Sequence, residues 1–355
     1  MDVKQELAKF KKIVDKELEI YLDEVIEETG KIDKFSTLVL QDCKENILAG
    51  GKRVRPAMMY YGYLAVGGEN HEELIKTSIS IELVHSFLLI HDDIIDQDGI
   101  RHGKETIHSK YKKYSEQYFI SKDDEHFGIS TGIVLGDFIY SLGMKALFNS
   151  KFEAKNLIRA LSKMQSVVGR TCVGQVQDVV MEYRGKAVEE EILSMYENKT
   201  ARYTFEGPLH LGAILAGADD EFCAKLSEFA IPLGIAFQIQ DDIIGVFGDS
   251  KKTGKPVGSD VSEGKITILT LKAYEKSDDK QKKVLDNLLG NDDLTESELD
   301  DFRKVLLDTG ALDYANGMSF DLLQEAKLGI EKVDLPDEPK EFLLGLVDYL
   351  DEREV

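Results

Sequence analysis

His91-Asp92-Asp93-Ile94-Ile95-Asp96 closes one long apolar, helix-compatible run, and Gln238-Ile239-Gln240-Asp241-Asp242-Ile243-Ile244-Gly245 closes another. Carboxylates inside apolar helices are costly unless a cation meets them. On a helix Asp92 and Asp96 stand four residues apart, so their oxygens reach toward one point. Two such ends facing each other form a hard-oxygen site of the kind that takes Mg²⁺ with water and phosphate oxygens. A solvated helix end is the plainer reading of either run alone. Aspartate at a helix C-terminus opposes the dipole, however, and it occurs here twice. The expected fold is set by these runs: long helices that deliver carboxylates to a shared cleft.

The rest of the chain agrees with an all-α class. Apolar residues recur at three- and four-residue spacing, and alternating strand-like runs are scarce. The 6 prolines leave residues 57–207 uninterrupted. The periodicity predicts helices over 71–97, 127–148, 153–182, 187–217 and 219–247, with loops at 98–126 and 248–262 directly after the two aspartate runs. At 355 residues and 39.9 kDa the chain reads as one domain, 1–355. Residues 277–355 are read as acidic C-terminal helices of that domain, and 277–301 as loops and solvated helix faces.

A net charge of −22 argues against nucleic-acid binding, which needs a basic surface. An anionic ligand would need local cations, and Lys52, Arg53, Arg55 and Arg101 supply them near the first aspartate run. The cysteines Cys43, Cys172 and Cys223 are odd in number and lack metal spacing, which suits a reducing cytoplasm. The charged N-terminus has no apolar segment of a signal peptide. The most apolar stretch, Ile79 to Ile90, contains Glu82 and His85 and is too short to span a bilayer. The expectation is a soluble cytoplasmic protein without a transmembrane segment.

Several further constellations carry chemistry. Gly50-Gly51-Lys52-Arg53-Val54-Arg55-Pro56 combines backbone access with guanidinium forks and an ammonium, the groups that hold phosphate. Basic residues at a helix start oppose the dipole, which favours a functional reading. His85 lies about two turns before Asp92 on the same face, although a lone His on an apolar helix is more often a core residue. Lys199-Thr200 and the segment holding Lys255 and Lys265 add cations. That segment fails as a Walker A loop because its glycine spacing is wrong and Pro256 follows the lysine. Glu82–His85 and Glu105–His108 repeat a di-iron spacing, but the second pair falls in a predicted loop and leaves the aspartates unexplained.

In this order the elements resemble the trans-isoprenyl diphosphate synthases, the short-chain polyprenyl synthetases, over residues 40–275. The matching elements are Gly50 to Pro56, Asp92-Asp93-Ile94-Ile95-Asp96 with Arg101, Gly174-Gln175-x-x-Asp178, Lys199-Thr200, Phe237-Gln238-x-x-Asp241-Asp242, and the two lysines. The resemblance implies an all-α, single-domain, barrel-like bundle around a deep central cleft (the isoprenoid synthase fold), usually a homodimer. It implies that Asp92, Asp96 and Asp241, helped by Asp93 and Asp242, bind Mg²⁺, three ions with substrate present, or Mn²⁺ in its place. Arg101, Lys199 and Lys255 would grip an allylic diphosphate. Lys52, Arg55 and His85 would grip isopentenyl diphosphate, with Arg53, His102 and Lys265 also contributing to substrate binding. Thr200 and Gln238 would turn oxygen dipoles toward the allylic cation.

Three departures from the family pattern stand out. His102 replaces a second arginine, Gly245 ends the second motif in place of aspartate, and the C-terminus lacks a basic tail. Val84, Phe87 and Leu88, one or two turns before Asp92, are the expected chain-length determinants. An aromatic at Phe87 with Leu88 beside it resembles the geranylgeranyl (C20) type, with farnesyl (C15) or a C15/C20 mixture as the alternative. A class I terpene cyclase fits less well because both aspartate motifs and the paired lysines are present. A non-catalytic prenyltransferase subunit fits less well because such subunits usually lose one motif.

Overall fold

The computed structural model describes residues 1–120, 123–248 and 258–352. Among them the chain runs as helices, interrupted by one two-stranded antiparallel hairpin, Ile100–Arg101 with Lys104–Glu105. The first ten helices are α1 (Val3–Gly30), α2 (Lys34–Ala49), α3 (Val54–Leu64), α4 (His71–Ile95), α5 (Ile107–Tyr118), α6 (Asp124–Phe148), α7 (Ala154–Arg184), α8 (Glu189–Tyr196), α9 (Gly207–Leu215) and α10 (Asp220–Phe247). Further helices follow, up to Asp337–Asp351.

The helices start where the sequence places acceptor side chains. Asn70 accepts from the Glu73 amide at the head of α4, and Asp219 from the Phe222 amide at the head of α10. On α1, Val3, Leu7, Phe10, Val14, Leu18, Leu22 and Val25 form one buried stripe at helical spacing. The central α4 is buried on most sides and packs against α6, while α10 packs against the helix Ala311–Glu331. One hydrophobic cluster spans the N-terminal two-thirds and the last helix; a second surrounds the end of α10.

Three differences from the sequence expectations have physical causes. Residues 98–126 hold the hairpin and α5. The buried stripe of α5 is only Ile107, His108, Tyr111 and Ser115, too polar to show as a hydrophobic period. The expected single helix over 187–217 is divided into α8, a π-helical stretch Glu197–Glu206, and α9. Residues 277–301 contribute Leu285, Leu288 and Leu299 to the second core, so that region is packed and not merely solvated.

By length and composition α4, α6 and α10 are long and apolar enough to cross a membrane, contrary to the expectation from Ile79–Ile90. In this fold they lie among other helices, and α4 and α10 carry the cleft aspartates.

Candidate active site

Lys199 and Thr200 bring the two aspartate runs together. The Lys199 ammonium lies 2.6 Å from Asp178 of α7 and 3.8 Å from Asp92 of α4. The next residue, Thr200, donates its hydroxyl at 2.5 Å to the Gln238 carboxamide oxygen of α10. Both residues sit in the π-helical stretch, a geometry that inserts a residue into the turn and often marks functional sites. Two glycines let neighbouring helices meet this wide turn. A Cβ at Gly174 would stand 2.4 Å from the Lys199 amide nitrogen, and one at Gly234 would stand 2.3 Å from the Ala201 α-carbon.

The first aspartate run divides by direction. Asp92 and Asp96 lie beside lysines: Lys265 reaches Asp96 at 2.8 Å, Glu182 at 3.0 Å and Asp178 at 3.7 Å. Burial and the neighbouring Asp92 raise the Asp96 carboxyl, against Lys265 and Lys199. Asp93 turns instead to Arg101, with which it makes a short ion pair. Burial lifts its carboxyl to about 6, partly offset by Arg101. Burial works against the Lys199 charge, but Asp92, Asp178 and Asp96 hold its ammonium above the usual lysine range.

The hairpin places Arg101. His102 and Gly103, both at positive φ, form its two-residue turn, and Arg101 also meets Asp98 at 3.1 Å and Asp92 at 3.7 Å. The His102 ring lies against Gly50, where a Cβ would be 2.4 Å from it.

The second site builds on α3 and α4. Arg55 donates to Thr204 at 2.7 Å and approaches His85 Nε2 at 3.2 Å, and its guanidinium stacks 4.3 Å over the Tyr203 ring. Its Nε is buried without a hydrogen-bond partner. An arginine only donates, so His85 Nε2 accepts and Nδ1 carries the proton toward Tyr203, 2.7 Å away. Burial, then Arg55, Arg101 and Arg53, hold the His85 pKa well below the usual range, so the ring is neutral. Lys52 meets the Tyr349 hydroxyl of the last helix at 2.9 Å.

Three expected site residues are placed otherwise. Arg53 is 4% exposed and donates to Asp15 at 2.7 Å, Glu82 at 2.6 Å and the Ile47 carbonyl at 2.6 Å, so each of its three nitrogens is engaged within the protein. Asp93 is committed to Arg101, and Asp242 accepts the Tyr196 hydroxyl and the Gln238 amide, at 2.8 Å for the latter. Neither is turned out as a metal ligand. Burial raises Asp242 well above the carboxylate range. Lys255 lies outside the described residues. At Gly245 the space a side chain would take is filled by Asp260, whose Oδ2 is 2.5 Å from an ideal Cβ.

Of the expected chain-length residues, Val84 is fully buried in the contact between α4 and α6, and Leu88 is partly buried. Phe87 packs edge-on to His91 (4.9 Å) and against Tyr140 of α6 (5.1 Å). Tyr140 in turn donates to Gln165 at 2.6 Å.

The sequence reading assigns no role to Asp178, Glu182, Tyr196, Tyr203 or Tyr349. Only Asp178 carries a local signal, its spacing from Gly174-Gln175.

Among the described residues no group of three His, Cys, Asp or Glu side chains is arranged to hold a metal ion by itself. The donor set nonetheless fits a hard divalent cation that shares a ligand. Around Arg101, Lys199 and Lys265 stand seven carboxylates, Asp92, Asp93, Asp96, Asp98, Asp178, Glu182 and Glu263. A polyanionic ligand would be repelled from this excess unless further cations came with it.

A family model described as polyprenyl synthetase matches residues 37–306. The geranylgeranyl pyrophosphate synthase of Geoglobus acetivorans is 33% identical over 343 residues, covering 94% of this chain and 99% of that protein. A geranylfarnesyl diphosphate synthase of Natronomonas pharaonis is 32% identical, covering 86% and 87%. The crystal structure of a geranylgeranyl pyrophosphate synthase from Corynebacterium glutamicum, complexed with isoprenyl diphosphate and magnesium, is 30% identical. It superposes with a TM-score of 0.93 over 100% of both chains.

Proposed function

This chain belongs to the polyprenyl synthetase family, and from that premise we propose that it condenses isopentenyl diphosphate with allylic diphosphates to make chiefly geranylgeranyl diphosphate. The observation that carries the two-substrate reading is the presence of two cation groups, one beside the first aspartate run and one around His85. Arg101, Lys199 and Lys265 stand beside Asp92 and Asp96. Arg55, with its unpartnered buried Nε, lies against His85, and Lys52, three residues earlier, meets Tyr349.

In this reading Asp92, Asp96 and Asp241 hold magnesium together with the allylic diphosphate, three ions when substrate is bound, and manganese can substitute. Bound there, the metal would supply charge neutralisation for the leaving diphosphate. Arg101 and Lys199, already ionised in their carboxylate setting, hold the same group, and Lys255 joins them. Lys265 orients Asp96. Thr200 and Gln238 supply oxygen lone pairs to the allylic cation that forms as the C–O bond breaks, a preorganised dipole in a buried site.

Arg55 and Lys52 hold isopentenyl diphosphate with its double bond toward that cation. His85 supports Arg55 from beneath and lends its proton to the Tyr203 hydroxyl, so it does not serve as a base. The proton lost after carbon–carbon bond formation goes to the departing diphosphate, which is held beside it.

Phe87, backed by Tyr140, is the proposed floor of the growing chain's channel. A homodimer is supported by apolar residues left exposed on α6 and α7, among them Ile133, Val134, Val173 and Val176.

The test supplies Mg²⁺, labelled isopentenyl diphosphate and dimethylallyl, geranyl or farnesyl diphosphate, and sizes the products by chain length. Geranylgeranyl diphosphate is expected, with no turnover after chelation by EDTA. Absence of condensation with every starter would defeat the enzyme assignment; a farnesyl or geranylfarnesyl product would correct only the chain length.

A further inference from the structure

We propose that Tyr196 is a positioning residue for the condensation, acting through Asp242 to fix the direction of the Gln238 carboxamide. The inference rests on the prenyltransferase reading above.

Tyr196 ends α8 and is 1% exposed, enclosed by the second hydrophobic cluster with Ile239 and Ile243 of α10. The Ile268 amide donates to its oxygen at 3.2 Å. A backbone N–H has no other role, so the Tyr196 oxygen accepts there and shares its hydroxyl proton with Asp242 Oδ2. With Oδ2 engaged by Tyr196, Asp242 Oδ1 is the oxygen left to accept from Gln238. The Gln238 side-chain nitrogen donates to it at 2.8 Å. With its nitrogen end so committed, Gln238 must present its oxygen to Thr200, which donates at 2.5 Å. The lone pairs of both Gln238 and Thr200 are thereby aimed by a chain that begins at a tyrosine in the core.

Removing the tyrosine hydroxyl strands two buried groups, the Ile268 amide and Asp242 Oδ2, each of which then lacks a partner. Asp242 can satisfy itself by rotating toward Ile268. That motion withdraws Oδ1 from Gln238 and frees the carboxamide to flip. A flipped amide turns an N–H edge, not an oxygen, toward the reacting carbon, which opposes a developing positive charge. The cation-holding groups of the other substrate, Arg55 and Lys52, are untouched by this sequence of events.

The experiment is a double-mutant cycle on this chain at saturating Mg²⁺ and allylic diphosphate, with isopentenyl diphosphate varied. Tyr196→Phe is expected to lower kcat by about tenfold or more and to change KM for isopentenyl diphosphate by less than about twofold. In a Gln238→Ala background the same change is expected to cost less than about twofold further, because its intermediary is gone. Asp242→Asn, whose single carbonyl oxygen cannot serve both partners, is expected to lower kcat in the same way, and it reads out the cycle if Tyr196→Phe does not fold. An unchanged kcat in the folded variants overturns the proposal. So does an equal loss with and without Gln238, since Tyr196 would then act as a general structural support. Failure of the unmodified chain to condense any starter is a separate result, and it removes the prenyltransferase reading on which the proposal stands.

Discussion

The Arg53 guanidinium lies 2.6 Å from the Glu82 carboxylate, and both side chains are 3% exposed. The pair ties the segment before α3 to the middle of α4. With Asp15 and the Ile47 carbonyl it satisfies every edge of a buried arginine. Breaking such a pair leaves an uncompensated buried charge, so Glu82→Ala is expected to cost about 3–5 kcal/mol in urea unfolding. The exposed pair Lys76–Glu72, 50% and 82% exposed, is the control: Lys76→Ala is expected to leave the urea midpoint essentially unchanged, because solvent screens an exposed pair. Equal effects from the two substitutions would contradict a structural role for Arg53.

Phe87 stands between the cleft end of α4 and Tyr140. Phe87→Ala removes the first aromatic layer while leaving Tyr140 held by Gln165. The main product is therefore expected to lengthen by about one isoprene unit, with more in the double variant Phe87→Ala/Tyr140→Ala. Thin-layer or liquid chromatography of the dephosphorylated products measures this. An unchanged distribution would sink the floor assignment.

Two glycine substitutions should have opposite signs. A Cβ at Gly212 of α9 would stand 1.8 Å from the Met59 carbonyl oxygen of α3, so Gly212→Ala forces two backbones apart and is expected to cost at least about 2–3 kcal/mol. Gly169, exposed in mid-α7, has nothing within 4 Å of an added Cβ. Gly169→Ala is expected to stabilise by about 0.5–1 kcal/mol through helix propensity. Thermal melting of the two variants beside the unmodified protein checks both.

His210 should impose an acid sensitivity. Burial first, then Lys163, push its pKa to about 4, against the pull of Glu206. Between that value and the unfolded value of about 6.5, the unfolded chain binds more protons. Stability therefore falls as pH drops through that window, by about 2 kcal/mol at pH 5 for this group. His85 acts in the same sense, whereas Asp93, raised to about 6, favours the fold in acid. The clean measurement is thus the difference between the unmodified protein and His210→Gln from pH 7 to 5, where the variant should lose less stability. Parallel curves would mean that His210 does not titrate on unfolding.

Much of this fold is legible in the chain because it is made of local signals. The stripe from Val3 to Val25, the acceptors Asn70 and Asp219 at helix starts, and the apolar runs ending in aspartate each act within a few turns. Helix α5 was less legible because Tyr111 and Ser115 carry its buried face. The division of 187–217 has no sequence period of its own, because the π-helical turn depends on glycines from α7 and α10, far away in the chain.

The candidate site shows the same boundary. Asp92 and Asp93 are adjacent and chemically identical, and their sequence context ranks them together. In the fold Asp92 is shared between Lys199 at 3.8 Å and Arg101 at 3.7 Å, whereas Asp93 makes the short ion pair with Arg101. Arg53 and Arg55 differ likewise, one locked by Asp15 and Glu82, the other left with an unsatisfied Nε.

The sequence by itself determined the helical class, the two carboxylate-bearing helix ends and the cationic segments that mark a diphosphate chemistry. Those features follow from residue type and short-range spacing. Only the tertiary structure decided which of those charges are consumed as buried counter-ions, and that Tyr196 is joined to Gln238 through Asp242. Many of those outcomes depend on partners far apart in the chain, such as Lys199 with Asp178, 21 residues away, and Lys265 with Asp96, 169 residues away, and burial makes each such pairing a choice that no local pattern encodes.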